Sequence, residues 1–153
     1  MTEREQSRGL GWQVTAADPS QRVRLVAGVA QSRFDNPVDS ALSGASTLVP
    51  VRRETRAAQF GELSFAVVRN ARLGPAPTNL SIVARHERID PQYRSVAIAL
   101  PADRLQDGID ATGNVDALQF QYAATRGHDN LDRIASLLTT RSRVQSLTLS
   151  LPV

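Results

Sequence analysis

The sequence predicts an α+β fold, in which an antiparallel sheet precedes a C-terminal helical segment. Between Gly61 and Tyr122, four segments alternate large apolar residues with small or polar ones, which is the period of strands with one buried face. From Asp129 onward the apolar residues recur with a period of about 3.6, which indicates a helix. A run of strands followed by a helix is typical of the α+β class.

The N-terminal third is predicted to contain a disordered start and a β-hairpin. Residues 1–9 are polar, charged and without period, so they are expected to be disordered. Trp12 to Ala16 and Arg22 to Ala30 are predicted strands around the turn Asp18-Pro19-Ser20. A further strand is predicted over residues 47–55.

Four more strands form the body of the predicted sheet. Pro75 and Pro77 end the first of them. The short turn at 89–92 predicts that the second and third form an antiparallel hairpin. Residues 102–116 are rich in Gly, Asp and Asn and are expected to be a long flexible loop. The four predicted strands cover residues 61–69, 79–88, 93–100 and 117–123.

The C-terminal segment predicts a helix of about three turns. Asp129 or Asn130 can cap it, and leucines and an isoleucine between 131 and 138 form one apolar stripe. Residues 144–151 fit either a helix or a strand. One such helix cannot cover a sheet of five or more strands, so the apolar face of the sheet would stay exposed in a monomer. We therefore expect a homodimer in which C-terminal helices cross onto the partner's sheet.

Composition limits the classes of protein that fit. The 153 residues suit one domain, covering 1–153, and no apolar run approaches the roughly 18 residues of a membrane-spanning helix. The N-terminus lacks the apolar region of a secretory signal, and the absence of cysteine excludes disulfides and thiolate metal sites. All 18 basic residues are arginine, which reflects either a GC-rich genome or suitability for binding phosphate.

Charge is unevenly distributed along the chain, although the net charge of +3 is modest. Residues 52–104 carry nine arginines against five acids, whereas residues 105–132 carry one arginine against five aspartates. The central strands are therefore expected to be the basic part of the molecule.

No catalytic, metal or cofactor site is predicted. His86 falls at the apolar-face parity of a strand and His128 lies at a helix start, so both are expected to have structural roles. Asp107, Asp110 and Asp116 lack the alternating ligands of an EF-hand loop. Neither a phosphate-binding glycine loop nor a nucleophile elbow is present. The chain is expected not to be an enzyme and to need no cofactor or metal.

The second face of the predicted sheet is small and hydrogen-bonding, which favours contact with a partner. Serine, arginine and glutamine side chains can contact phosphates and unpaired base edges, and a tyrosine can stack on a base. A polar solvent-facing surface is the alternative interpretation. The candidate residues for RNA binding on this face are Ser81, Arg85, Tyr93, Ser95, Ala97, Gln119 and Gln121.

The segment from Leu80 to Leu138 resembles the coat proteins of single-stranded RNA bacteriophages of the levivirus type. A strand bearing Arg85, a short polar turn, a strand led by Tyr93 and then Pro101 occur in the order found in that family. A long loop, a further strand and an amphipathic helix follow. The resemblance covers roughly residues 80–140 well and the rest only in outline. The family usually places lysines on this sheet face, and this chain has none.

The resemblance implies a capsid protein with an N-terminal hairpin, a five-stranded sheet and two C-terminal helices that pack over the partner's sheet. Such homodimers self-assemble in the bacterial cytoplasm into the icosahedral shell of the virion, around single-stranded RNA. Residues 102–116 would lie at the shell's symmetry axes, and the protein could also repress translation. Carried over by position, the RNA-facing residues are Ser81, Val83, Arg85, Tyr93, Ser95, Ala97, Gln119 and Gln121.

Two other functions fit the sequence. A small bacterial helix-on-sheet α+β domain could bind a ligand or act as an enzyme, but its pocket would need polar groups between helix and sheet. The apolar face offers only His86 and the hydroxyl of Tyr122 for this purpose. The second alternative is a non-viral dimeric scaffold with no role in RNA binding.

Overall fold

The described part of the chain forms one antiparallel sheet of seven strands, which follow one another in sequence order. A computed structural model describes residues 6–35, 54–91, 93 and 102–151. No helix is present within these residues, so the expected α+β class is wrong and the described chain is all-β. The strands are β1 (Gln6–Ala17), β2 (Val23–Asp35), β3 (Glu54–Leu73), β4 (Ala76–Ile89), β5 (Arg104–Val115), β6 (Leu118–Asp129) and β7 (Arg141–Ser150).

The predicted N-terminal hairpin is confirmed, and it is longer than expected. β1 begins at Gln6, inside the segment predicted to be disordered, and pairs with β2 as far as Asp35. The turn between them is held by Asp18, whose carboxylate accepts a hydrogen bond from the backbone N–H of Val23 at 2.7 Å and another from the hydroxyl of Ser20. These bonds lower the pKa of Asp18, the Ser20 bond contributing most.

The next hairpin joins β3 to β4 at the predicted break. Gly74 has φ of +65°, a left-handed conformation that glycine adopts without steric cost. β3 is 20 residues long and shifts its register against β4 between Ala66 and Ala71. The predicted strands 61–69 and 79–88 lie within these two strands. Of the predicted strand 47–55, residues 47–53 lie outside the described residues.

Strand β5 occupies the region that was expected to be a flexible loop over 102–116. It pairs with β4 from Thr78, opposite Val115, to Ile89, opposite Arg104. Since β3 pairs with the other edge of β4, no edge remains for the predicted hairpin with 93–100, of which 94–100 lie outside the described residues. Leucine, isoleucine, alanine and valine at 105, 109, 111 and 115 supply a strand period that the intervening Gly and Asp residues obscure.

Gly113 lies in β5 at a position where neighbouring strands leave no space for a side chain. A Cβ atom at this position would lie 2.6 Å from the ring of Phe120 on β6 and 2.5 Å from the carbonyl oxygen of Asn79 on β4. The missing side chain therefore leaves room for the aromatic ring of the neighbouring strand. The glycine that suggested a loop in the sequence is a packing residue in the sheet.

The predicted C-terminal helix is replaced by a loop over residues 130–140. Asn130 and Arg133 have φ values of 55° and 53°, which no continuous right-handed helix can include. Asn130 is buried and accepts a hydrogen bond from the N–H of Ile134 at 2.8 Å, while its amide donates to the carbonyl of Ile134 and to Thr139. The capping group that predicted a helix therefore organises a loop, and the ambiguous segment 144–151 is mostly strand β7. Helices exchanged across a dimer are not part of this fold.

The register defines two faces of the sheet. The apolar face carries the odd-numbered residues of β5 and β7 and the even-numbered residues of β6, together with Leu63 and Ile82. The polar face carries the alternate residues, including Ser64 and Val83. In the described part of the chain, Ile89 and Tyr93 are the only buried hydrophobic residues. No pair of described elements beyond neighbouring strands packs closely, so no second layer formed by the described residues covers either face.

Candidate functional site

Five of the eight candidate RNA-binding residues lie on the polar face, as the sequence predicted. Ser81, Val83 and Arg85 are on β4, while Gln119 and Gln121 are on β6. They are not adjacent, because β5 lies between the two strands. Ser95 and Ala97 lie outside the described residues. The remaining candidate is Tyr93.

Tyr93 is not presented for stacking on a base. Its side chain is only 8% exposed, and it lines an apolar hollow of about 460 Å³ with Phe60, Ile89 and residues of β1 and β2. Its backbone N–H donates to the carbonyl of Asp90 at 3.2 Å. Tyr93 therefore belongs to the small packed region at one end of the polar face.

Arg85, the only cation among the candidates, is neutralised by two carboxylates on neighbouring strands. Its Nε donates to Oε2 of Glu62 on β3 at 3.0 Å, and its Nη1 donates to Oδ2 of Asp110 on β5. The hydrogen bond to Glu62 and the charge of Asp110 raise the pKa of Arg85. A phosphate approaching this guanidinium must compete with both carboxylates.

The polar candidates form two different local arrangements. Ser81 shares a hydrogen bond of 2.8 Å with the hydroxyl of Thr112 on β5. Gln119 and Gln121 line an open hollow of about 460 Å³ with residues such as Thr148, and their amides make no hydrogen bond with any described residue. These two amides are the candidate groups that remain available to a polar ligand.

Charge is divided unequally between the two faces. On the polar face, five arginines accompany four acidic residues. The apolar face carries six arginines and a single acid among the strand residues whose side chains are described. The polar-face groups are Arg24, Arg56, Arg72, Arg85 and Arg104 with Glu62, Glu87, Asp110 and Asp129, and the apolar-face groups are Arg8, Arg33, Arg88, Arg126, Arg141 and Arg143 with Asp107.

Asp107 is the centre of a small network on the apolar face. Its Oδ1 lies 2.7 Å from Nδ1 of His86 on β4, and its Oδ2 accepts a hydrogen bond from Nε of Arg126 on β6 at 3.1 Å. The bond to His86, followed by that to Arg126, lowers the pKa of Asp107. His86 was predicted to be structural, and it lies at the expected parity but with about half of its side chain exposed.

Sequence reasoning missed the cations at the β6–β7 end of the apolar face. Arg141 and Arg143 directly follow the predicted helix in sequence, whereas the structure places them on β7, at the strand parity of Leu147 and Leu149. The sequence contains this signal, because alternate residues from 141 to 149 would share one face of a strand. Finding it requires that the strand interpretation of 144–151 begin at residue 141. The face that carries surplus positive charge is thus opposite to the face predicted to bind RNA.

Comparisons with known proteins identify no relative. No family model, no curated protein and no solved structure matches this chain. Within the described residues, no group of three or more His, Cys, Asp or Glu side chains is placed to hold a metal ion. None of the described residues forms a helix long and apolar enough to cross a membrane.

Proposed function

We propose that the protein is a structural subunit that self-associates through the apolar face of its sheet, the role of a coat protein. One observation carries the proposal. Among the exposed large hydrophobic side chains on regularly paired strands, leaving out the irregular end of the β3–β4 hairpin, twelve in the described residues lie on the apolar face, against Phe60 and Val144 on the polar face. The twelve are Leu10, Trp12, Val14, Val23, Leu25, Val29, Leu63, Phe65, Ile109, Leu118, Leu147 and Leu149.

The exposed apolar area matches that of a stable interface. Fully covering one such side chain contributes about 1.5–3 kcal/mol, which corresponds to roughly 60–120 Å² at about 25 cal/mol per Å². Twelve side chains that are about half exposed therefore offer on the order of 400–700 Å². Half-buried neighbours such as Ile82, Phe120 and Tyr122 add to this area. Standard interfaces bury about 800 Å² per partner.

A second copy of the chain is the partner that this face fits best. Its apolar centre can pack on the same surface of another copy, because a two-fold interface is self-complementary. The arginines lie toward one end of the face, where they would form the polar rim of the interface. This arrangement replaces the exchanged helices with direct packing of sheet on sheet.

Contact with genomic RNA through the polar face has weaker support than assembly. Arg85 is engaged by Glu62 and Asp110, and the face as a whole is nearly neutral. The free amides of Gln119 and Gln121 support, at most, polar contact with a ligand. The helix-on-sheet domain, the first alternative, loses its basis because the described chain has no helix. A dimeric scaffold without RNA remains the competing function.

Neighbouring residues on the central strand provide a matched test. Ile82 faces the apolar side and Val83 the polar side, and both are half-buried β-branched residues. Ile82→Lys should weaken self-association by about 100-fold or more, because a charge is costly to bury in an apolar interface. Val83→Lys should leave it unchanged. Sedimentation velocity measures both, with circular dichroism to verify that each variant retains strand structure.

The outcomes separate the functions. Uniform shells in electron micrographs would support a coat protein, whereas discrete dimers with no shell would favour the scaffold. A wild-type protein that stays monomeric at high concentration would disprove self-association. Equal effects of the two lysine substitutions would show that the apolar face is not the interface.

A further inference from the structure

Four cationic or imidazole side chains lie together where β6 and β7 meet on the apolar face. We name this group the basic corner; it consists of Arg126, His128, Arg141 and Arg143. Arg126 lies directly opposite Arg143 in the strand register, and His128 lies directly opposite Arg141. β7 is an outer strand of the sheet and all of its residues are exposed. The corner is therefore accessible from the edge of the sheet.

The arrangement is unfavourable without a counter-charge. Directly opposed residues of antiparallel strands have Cβ atoms about 4.5–5.5 Å apart, and like charges in such pairs are destabilising. Asp107 bonds to Arg126 but is shared with His86. Neither the Arg141 nor the Arg143 guanidinium group makes a hydrogen bond or an ion pair with any residue that the structure describes. The protein's described residues thus leave the repulsion on β7 uncompensated.

The described strand positions of the apolar face offer no free carboxylate to a second copy packed through the same face. Asp107 is the only acidic residue at the apolar-face strand positions whose side chains are described, and it is already engaged by His86 and Arg126. The corner lies at the rim of the face, where an anionic ligand can reach it and supply a counter-charge.

The surface beside the corner has room for an anionic ligand. A hollow of about 410 Å³ is lined by Arg126, Arg143 and Gln145, with Ile109 and Ala124 among its apolar residues. Asp107 also lines it, but its carboxylate is engaged by His86 and Arg126, which leaves Arg143 as the unpaired charge of the hollow. Guanidinium groups bind phosphate oxygens in pairs of parallel hydrogen bonds. The hollow combines these donors with an apolar surface against which a sugar or base can pack.

We propose that the basic corner binds phosphodiester groups of a single-stranded nucleic acid, with Arg141 and Arg143 as the principal contacts. Two residues along a strand span about 6.6–6.8 Å, so the two guanidinium groups form a row suited to successive phosphates rather than a cage for one. The identity of the polyanion as RNA rests on the proposed coat function, whereas the anion site rests on the charge arrangement. The site lies on the face opposite to the one that the resemblance implies.

Two double variants of equal net charge test the proposal. Arg141→Gln/Arg143→Gln removes the principal contacts, and Arg24→Gln/Arg72→Gln removes two exposed polar-face arginines as the control. Binding of a fluorescein-labelled oligouridylate is measured by anisotropy over a series of salt concentrations. The first variant should bind at least about 10-fold more weakly and lose roughly 1.4 from the salt slope, about 0.7 per phosphate contact. The control should match the wild type.

Each contrary outcome overturns the proposal. Equal losses in both doubles would show a general effect of net charge, and no oligonucleotide binding by the wild type would remove the site. Stabilisation by inorganic phosphate without oligonucleotide binding would indicate a small-anion site and contradict the nucleic-acid assignment. A β7 double that aggregates yet binds RNA normally would mean that these arginines only protect the sheet edge. Sedimentation of the same samples reports assembly separately, so a failure of self-association is distinguishable from a failure of this site.

Discussion

The two faces of this sheet differ in how many of their side chains find hydrogen-bonding, ionic or apolar partners within the same chain. On the polar face, Arg85 and Arg104 each contact a carboxylate on a neighbouring strand, and Ser81 pairs with Thr112. On the apolar face, large hydrophobic side chains are exposed and Arg141 and Arg143 have no acidic partner among the described residues. Among the described residues, the central charges of the polar face are paired within the single chain. The apolar face leaves hydrophobic area and the charges of Arg141 and Arg143 uncovered, which is what the proposed self-association and anion binding would compensate.

The largest expected difference concerns Trp12, the only tryptophan, which is 70% exposed on the apolar face of β1. Self-association should cover it, because burying an aromatic side chain is worth a few kcal/mol. Its emission should move to shorter wavelength as the protein concentration rises, and acrylamide quenching should fall several-fold. In the control Trp12→Phe/Gln13→Trp, which moves the indole to the polar face, emission should not depend on concentration. The same shift in both proteins would show that the faces are covered alike.

The next effect compares two glycines on the apolar face. Gly113→Ala places a Cβ within 2.5 Å of a backbone carbonyl oxygen, so it should lower the free energy of unfolding by about 1–3 kcal/mol. Gly61→Ala is the control, since nothing lies within 4 Å of its Cβ position, and it should be neutral or stabilising by up to about 1 kcal/mol. Urea denaturation measures both. Equal destabilisation would contradict the close packing of Phe120 over Gly113.

A smaller effect is expected on the polar face at Arg85. Arg85→Met removes ion pairs with Glu62 and Asp110, but the arginine side chain is 54% exposed, and exposed ion pairs contribute about 0.2–1 kcal/mol. The free energy of unfolding, measured in urea, should therefore fall by less than about 1 kcal/mol, and oligonucleotide binding should not change. A marked loss of binding would return the RNA site to the polar face.

The smallest effect is a dependence of stability on pH at Asp107. Because hydrogen bonds from His86 and Arg126 lower the pKa of its carboxyl, the folded protein gains stability above the ordinary aspartate pKa of about 3.9 and loses it as the pH falls through the lowered value. The stability advantage of the wild type over Asp107→Asn should be constant near neutral pH and shrink below about pH 4. Asp116→Asn, in an exposed turn, is the control. An advantage that persists at low pH would show that the network does not stabilise the ionised carboxyl.

Much of the sheet could be predicted from local sequence. Alternation of side chains fixed the two faces of β3, β4 and β6, since the period of two is a property of the extended backbone. The turns around Asp18 and Gly74 followed from the residues that favour such conformations. The same local signals failed at β5, where Gly108 and Gly113 suggested a loop. Only the ring of Phe120, on another strand, explains why a glycine belongs at residue 113.

The C-terminal region shows the limit of periodicity more clearly. Residues 131–138 have the spacing of an amphipathic helix, but a short helix needs a surface on which to bury its stripe. Hydrogen bonds from Asn130 instead stabilise a loop that leads directly into β7. The candidate site was likewise predictable only in part. Alternation along each strand was enough to assign a face to five candidates, which are Ser81, Val83, Arg85, Gln119 and Gln121. The pairing of Arg85 with two carboxylates could not be predicted, because it depends on the order of the strands.

The sequence alone determined that this chain builds an antiparallel sheet with one apolar and one polar face, because both properties follow from residue alternation. The tertiary structure decided which strands are neighbours, and therefore which charges cancel. Strand order places Glu62 and Asp110 on either side of Arg85, and it places Arg126 opposite Arg143. Electrostatic interactions depend on distances between residues far apart in sequence, so counting charges along the chain could not show on which face the unpaired arginines lie.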